Sequence, residues 1–129
     1  MNRNDLDKRL RELGIYSDFY MRRELKALPQ LLEEGEQLNC ILTGVHEAER
    51  KMLAVTDRRL IVIFAAALSP GDIKVIPREA VGDWHFEKKL LFSWVSVSTK
   101  SGTEFTFTNT QGSLKELFEW AMQQPVPAK

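Results

Sequence analysis

Apolar residues recur with helical spacing over roughly the first thirty residues of the chain, which predicts two short helices. The first helix begins with Asn4 as its cap and ends at Gly14. The second begins with Ser17 and ends at Pro29. Their apolar stripes consist of Leu6, Leu10 and Leu13, and of Met21, Leu25 and Leu28. Helices this short are marginal alone in water, so we expect them to pack on each other, on the remaining chain or on a second chain.

From Glu36 onward the apolar period changes to two, which predicts β-strands. Turn signals separate the strands, the strongest being Ser69-Pro70-Gly71-Asp72. The alternation predicts seven strands, at residues 38–42, 51–56, 59–64, 73–76, 81–86, 91–100 and 103–108. Connections of hairpin length favour antiparallel pairing of these strands.

The last element is an amphipathic helix. Ser113 and Glu116 have the spacing of a capping box, and Pro125 ends the helix. Its apolar face consists of Leu114, Leu117, Phe118 and Ala121. We therefore expect a mainly β fold: a seven-stranded antiparallel β-sandwich or partly open barrel, capped by the C-terminal helix and preceded by a two-helix extension.

Two of the strands carry more apolar surface than one core needs. Strand three is apolar on both faces, with Ile61 and Ile63 on the outer one, and such a strand must be covered twice. In strand six, Phe92 and Trp94 point outward if Val95 faces the core. Large aromatics are rarely bare on a monomer, so three arrangements are open: cover by the chain's own helices, contact with another subunit or partner, or a β-bulge that buries them.

Composition narrows the class of partner. The chain has 129 residues, which fits one domain with a short extension. Its 18 basic residues balance its 18 acidic ones, and since nucleic-acid binders usually carry a basic excess, we expect no nucleic-acid partner. The longest apolar run, Leu60–Leu68, is far shorter than the roughly twenty residues of a membrane span. The charged N-terminus is unlike a signal peptide, so we expect a cytoplasmic protein.

The sequence contains no recognisable catalytic motif. Its two histidines, His46 and His85, lie about forty residues apart, and no metal-ligand spacing or phosphate-binding glycine loop is present. The single cysteine, Cys40, sits in an apolar alternation and is expected to be a small buried hydrophobe. We therefore expect a protein that is not an enzyme and uses no cofactor or metal.

Three segments of the chain, in this order, match the pattern of one known family. They are an acidic lead-in, LEEGE at 32–36; a strand ending in Thr-Asp-Arg-Arg-Leu, LAVTDRRLI at 53–61; and IPREAV at 76–81, followed by WVSV at 94–97 and SG at 101–102. Together they resemble the bacterial pleckstrin-homology (PH) domains, specifically the YokE-like group, over Leu32–Met122.

The resemblance implies a binding or assembly module without catalytic residues. It divides the chain into a helical arm at 1–32, a PH-like domain at 33–123 and a flexible tail at 124–129. PH domains that bind phosphoinositides use a basic pattern around the first hairpin, whereas residues 46–51 here read HEAERK. The two acids point away from that ligand, because a carboxylate repels phosphate groups.

Two functions compete on this basis. The leading one is protein–protein binding or self-association, with a homo-oligomer as one form, through a candidate surface of Phe92, Trp94, Ile61 and Ile63. The alternative is weak peripheral binding to anionic lipid headgroups or a membrane surface. Its candidate contacts are Lys88, Lys89, Arg58 and Arg59, with Lys74 and Arg78 as further cations. Within the Thr-Asp-Arg-Arg motif, we favour a role in holding the tight turn over anion binding.

Overall fold

The computed structural model describes residues 1–64 and 73–127. The strands, numbered in chain order, are β1 (Leu38–His46), β2 (Glu49–Thr56), β3 (Arg59–Phe64), β4 (Ile73–Pro77), β5 (Val81–Lys88), β6 (Ser93–Thr99) and β7 (Glu104–Thr108). They form one antiparallel sheet in the order β4–β3–β2–β1–β7–β6–β5, which is not closed into a barrel. This is the fold class expected from the sequence. The turn predicted at 69–72 lies outside the described residues.

The α-helices of the described residues precede and follow the sheet. They are α1 (Arg3–Glu12), α2 (Tyr16–Phe19), α3 (Leu28–Leu31) and α4 (Lys115–Gln123), with 3₁₀ turns at Arg23–Lys26, Arg78–Ala80 and Gly112–Leu114. The cap of α1 is Asn2 rather than the predicted Asn4. The Asn2 side chain accepts a hydrogen bond from the Asp5 N–H at 2.8 Å, and the Asp5 carboxylate bonds the Asn2 N–H in return.

The predicted second helix is broken into α2, a 3₁₀ turn and α3. Phe19 and Leu25 are both fully buried, yet one straight helix would aim them roughly 120° apart. The break at Arg22 lets both side chains enter the core and leaves Met21 79% exposed. Pro29 lies in the first turn of α3 rather than at a helix end, because its missing N–H has no partner to lose there.

The N-terminal arm, residues 1–32, covers the outer face of β1–β3. On that face Ile41, Ala54 and Ile61 are cross-strand neighbours and are fully buried. The apolar side chains of the arm are equally buried in the same core cluster: Leu6, Leu10, Phe19, Leu25 and Leu28. Burying one large aliphatic side chain contributes about 1.5–3 kcal/mol. The predicted cover over strand three is therefore supplied by the same chain.

Two arginine side chains tie the arm to the sheet. Arg9 Nε donates to the Leu38 carbonyl at 2.7 Å, at the start of β1. Arg59 Nη2 donates to the Leu31 carbonyl at 2.7 Å, so the end of the arm is bound to the start of β3. Hydrogen bonds from a charged donor are stronger than neutral ones, and these two fix the arm at separate points along its length.

Helix α4 packs against β1, β2 and β5. Its Phe118 ring lies 5.8 Å from Trp84 and 5.7 Å from Phe86, measured between ring centroids. The predicted Ser113–Glu116 capping box is not formed. Instead the chain enters α4 through a 3₁₀ turn, and Leu114 occupies the cap position because its side chain is buried against the core.

The sheet has two halves, β4–β3–β2–β1 and β7–β6–β5, which pair at Val45 and Thr108. Their close approach requires Gly44. A Cβ atom at that position would lie 2.8 Å from Thr110 Cγ2 and 2.9 Å from the Thr108 carbonyl oxygen. Any larger residue would therefore push β1 away from β7.

Candidate functional site

The turn between β2 and β3 is held by the Thr56 hydroxyl. Its oxygen accepts hydrogen bonds from the backbone N–H groups of Arg58 at 3.0 Å and Arg59 at 2.8 Å. The hydroxyl itself donates to Glu36 Oε2 at 2.6 Å. Thr56 is fully buried, so its single hydroxyl satisfies two backbone donors and one carboxylate. The prediction that this threonine holds the turn is confirmed.

Arg59 is bound to a buried carboxylate. Its Nε and Nη2 donate to the two oxygens of Glu36 at 2.9 and 2.6 Å, and the Glu36 side chain is fully buried. Burial alone would raise the pKa of Glu36, but the hydrogen bonds from Arg59 and Thr56 outweigh burial and lower that pKa below its ordinary value. Arg59, expected as an anion contact, is therefore engaged within the fold.

Asp57 and Arg58 complete this turn. Asp57 accepts a hydrogen bond from the Gln37 N–H at 3.0 Å, so it binds the segment before β1 rather than its own turn. Arg58 lines a cleft of about 500 Å³ whose walls also include Glu33 and Glu79. Because these two acids share the cleft with Arg58 and Arg59, the cleft lacks the uniform positive charge of an anion site.

Arg78 follows β4 and is only 8% exposed. Its guanidinium donates to the carbonyl oxygens of Thr56 at 3.0 Å, Met122 at 2.8 Å and Gln124 at 3.0 Å. It thereby satisfies the last carbonyls of α4 and complements the helix dipole. Burial lowers the pKa of Arg78, and the charge of Asp57 offsets part of that effect. The expectation that Arg78 is a lipid contact is wrong, and no local signal marked its partners, which lie 22 to 46 residues away.

The turn between β1 and β2 neutralises its own cations. Glu47 and Ala48 have φ values of 53° and 65°, as a two-residue hairpin turn requires. The Glu47 carboxylate lies 2.6 Å from Lys74 Nζ and 2.8 Å from His46 Nε2. The hydrogen bond from Lys74 is the main cause that lowers the pKa of Glu47. Lys74, expected as a further lipid contact, is therefore paired with an acid of the first hairpin.

The turn between β5 and β6 exposes three consecutive apolar side chains, which we call the apolar tip. Leu90 is 99% exposed, Leu91 89% and Phe92 55%. The Lys89 N–H donates to the Phe92 carbonyl at 3.1 Å and closes the turn. Strand β6 begins at Ser93, so Leu91 and Phe92, which were expected in strand six, lie in the turn instead. The sequence signal for the tip is the apolar run Leu-Leu-Phe directly after two lysines, at the position where two paired strands must be joined by a turn.

Trp94 lies behind the apolar tip on the outer face of β6. Val95, its neighbour, is fully buried, so Trp94 points outward as expected. The His85 ring packs against the indole at 5.4 Å and leaves it half-buried. The β5–β6 register shifts only between Val81 and Asp83, so no bulge buries Trp94, and the arm lies on other strands. Of the three arrangements, a contact with another subunit or partner is the one that stays a prediction.

Lys88 and Lys89 flank the apolar tip. Lys89 Nζ lies 2.7 Å from Glu87, and His85 Nε2 lies 2.7 Å from the same carboxylate. These contacts, that of Lys89 first, lower the pKa of Glu87 to about 2. Lys88 is exposed, and among residues 1–64 and 73–127 no carboxylate lies within ion-pair distance of it. Its charge is therefore the uncompensated one at this turn.

The remaining candidate residues lie inside the protein. Ile61 and Ile63 are fully buried, so the expectation that they form part of an accessible interaction surface is wrong. Cys40 is also fully buried, and burial raises the pKa of its thiol to about 12. At neutral pH such a thiol is protonated and a poor nucleophile.

Neither a metal cluster nor a membrane-spanning helix is found in the part of the chain that the structure describes. No three histidine, cysteine, aspartate or glutamate side chains converge there as the ligands of a metal ion would. No helix of those residues has the length and apolar character needed to cross a bilayer.

The open seven-stranded sheet with its C-terminal helix and its Thr-Asp-Arg-Arg turn defines a PH-like domain. The sequence profile of the bacterial PH domain family matches residues 32–122, and the chain belongs to this family. The resemblance noted from the sequence is thereby confirmed.

Solved structures provide a further comparison. The C-terminal domain of an unknown protein from Leishmania infantum is similar, with 20% identity and a TM-score of 0.58 over 77% of this chain and 91% of that one. A DUF1696-family protein with a pleckstrin-homology domain from Shewanella loihica PV-4 has 18% identity and a TM-score of 0.44, over 94% of this chain and 98% of that one. Among curated proteins, no match was found. At 20% identity, the likeness to the Leishmania domain bears on the fold alone.

Proposed function

We propose that this bacterial PH domain is a non-catalytic docking module and that the apolar tip is its docking element. The family is generally non-catalytic, which supports the first part. The exposure of Leu90, Leu91 and Phe92 carries the second. Exposure of large apolar side chains to water is unfavourable in free energy. A contiguous group of exposed apolar side chains therefore marks a place where a partner binds.

The arm removes two of the three arguments for self-association or protein binding. Self-association or protein binding was favoured by the doubly apolar strand three, by the short helices and by the outward aromatics. The arm accounts for the first two, because it covers β1–β3 within one chain. The features that still favour an external partner are the apolar tip and Trp94. The docking proposal by itself leaves three classes of partner open: another protein, a second copy of the chain and a membrane surface.

A photo-reactive amino acid at position Leu91 tests the docking role without assuming the partner. The matched control carries the same group at Met21, which is 79% exposed on the arm. After irradiation in a bacterial cell, we expect covalent adducts from position 91, to protein, a second copy or lipid, and far fewer from position 21. Mass spectrometry identifies the adduct, and thermal melting checks that both proteins are folded. Equal adduct yields at the two positions, or none at either, would refute the docking role of the tip.

A further inference from the structure

We infer that the partner of the apolar tip is an anionic lipid bilayer, into which Leu90, Leu91 and Phe92 insert while Lys88 contacts the headgroups. The inference rests on the proposed docking function and adds the chemistry of the partner. A protein is the competing partner, and shape, backbone and charge each distinguish the two.

The shape of the tip favours a bilayer. Leu90 is 99% exposed and Leu91 is 89% exposed, so the protein provides almost no wall beside these side chains. A stable protein interface buries about 800 Å² on each partner, whereas three large side chains offer roughly half of that area. A bilayer surrounds an inserted turn on all sides, so the whole exposed area leaves water. A convex tip of this size therefore suits lipid better than a protein surface.

One backbone hydrogen bond of the turn lowers the cost of moving it into an apolar medium. The bond from the Lys89 N–H to the Phe92 carbonyl, at 3.1 Å, closes the turn. Unpaired backbone groups are a main cost of burying a chain in hydrocarbon, and this bond removes one donor and one acceptor from that cost. Insertion of the tip therefore meets less resistance than insertion of an open loop.

The flanking residues match the layers of a membrane. Trp94 lies two residues behind Phe92, which is about 7 Å along a strand, and an interfacial element typically enters to a depth of about 5–10 Å. Tryptophan prefers the interface at that level. The aliphatic stem of Lys88 lies beside Gly112 at the base of the turn, and its exposed ammonium is thereby held behind the inserted side chains, at the level of the headgroups. Apolar, aromatic and basic groups thus follow one another in the order that a bilayer presents.

Charge favours an anionic surface, but weakly. Lys89 is compensated by Glu87 at 2.7 Å, which leaves Lys88 as the cation open to headgroups. One lysine near an anionic membrane raises affinity about fivefold. Most of the binding must therefore come from the apolar tip, and we expect reversible association with a shallow dependence on salt.

Flotation of the purified full chain with lipid vesicles tests this inference. The vesicles contain phosphatidylcholine alone or with roughly one third phosphatidylglycerol, at low salt. We expect the wild-type chain to float with the mixed vesicles. The double variant Leu90→Ser, Leu91→Ser should bind at least about a hundredfold more weakly, because each leucine taken out of water contributes at least about tenfold. Lys88→Ser should lose about fivefold on mixed vesicles and nothing on phosphatidylcholine. Met21→Ser, the matched control for an exposed apolar residue, should bind like the wild type.

The outcomes separate this inference from the docking function. Failure of the wild-type chain to float with mixed vesicles overturns the membrane inference, and docking survives if position 91 still forms protein adducts in cells. Binding that persists in the double serine variant, or that falls equally in Met21→Ser, also overturns the inference. Light scattering without lipid tests the remaining alternative, self-association. If the wild-type chain is a dimer and the double serine variant is a monomer, the partner of the tip is a second copy of the chain, and the membrane inference is overturned.

Discussion

Two turns of this chain carry adjacent basic residues and use them in opposite ways. In the β2–β3 turn, Arg59 binds both oxygens of the fully buried Glu36. In the β5–β6 turn, Lys89 pairs with Glu87 near the surface, and Lys88 is exposed beside the apolar tip. The same short pattern therefore stabilises the fold in one place and leaves charge for a partner in the other.

The comparison indicates that the position of the nearest acid, more than the number of cations, decides whether a basic turn stabilises the fold or leaves a charge exposed. Glu36 reaches Arg59 across 23 residues of sequence, and the planar guanidinium matches both carboxylate oxygens at once. An ammonium is a compact, strongly hydrated charge that stays at the surface more readily. Substitutions should therefore reduce stability most among the inward arginines and least at the apolar tip.

The largest expected effect is that of Arg78→Met. The substitution removes the guanidinium donor from four carbonyl oxygens, among them those of Met122 and Gln124, so we expect the free energy of unfolding to fall by about 3 kcal/mol. Urea denaturation measures the change. Arg22→Met, at an exposed arginine of the arm, is the matched control and should stay within about 0.5 kcal/mol of wild type. A loss below about 1 kcal/mol for Arg78→Met would contradict its role at the end of α4.

Glu36→Gln should have the next largest effect. The amide keeps the shape of the side chain but removes the charge that Arg59 binds, so we expect a loss of about 2 kcal/mol at neutral pH. Glu34→Gln, at an exposed neighbouring acid, is the control and should change stability little.

The loss caused by Glu36→Gln should depend on pH. The native pKa of Glu36 lies below the ordinary value of 4.5, so its contribution to wild-type stability is complete above that pH and is lost as pH falls through the native pKa. Urea denaturation across this acid range should show wild type and variant converging. A difference that stays constant down to the acid end would show that the carboxylate charge is not what stabilises the turn.

The smallest expected effect is on the stability of the tip variant. Leu90 and Leu91 are almost fully exposed, so replacing both by serine should change the free energy of unfolding by no more than about 0.5 kcal/mol. Thermal and urea unfolding measure this on the same protein used for flotation. A loss above about 1 kcal/mol would mean that the leucines support the fold, and the contrast between the two turns would disappear.

Features that depend on neighbouring residues could be predicted from the sequence. Strand β3 occupies Arg59–Phe64, the predicted residues, because alternation and turn chemistry act locally. The hydroxyl of Thr56 holds its turn for the same reason. The double apolar pattern of β3 also required an outer cover, although it left open whether this chain or another would supply it.

Features that depend on contacts between residues far apart in the sequence could not be predicted. The carbonyl groups that bind Arg78 come from elements far along the chain. The break in the second helix follows from burial of Phe19 and Leu25, which outweighs the weak preference for a continuous helix. Leu91 and Phe92 were assigned to strand six because alternation does not show where pairing starts; here it starts at Lys88 and Ser93.

The narrow join between β1 and β7 has a mechanical consequence. Hydrogen bonding runs through several residue pairs within each half of the sheet, whereas the pair Val45–Thr108 connects the halves. Helix α4 contacts β2 in one half and β5 in the other, and Arg78 secures its end. Side chains reinforce this join: His46 Nδ1 lies 3.0 Å from the Thr106 carbonyl oxygen, and the Thr43 N–H donates to Gln111 Oε1 at 3.0 Å. Any force that a docked partner exerts on the β5–β6 turn reaches the other half of the sheet through this join and through α4.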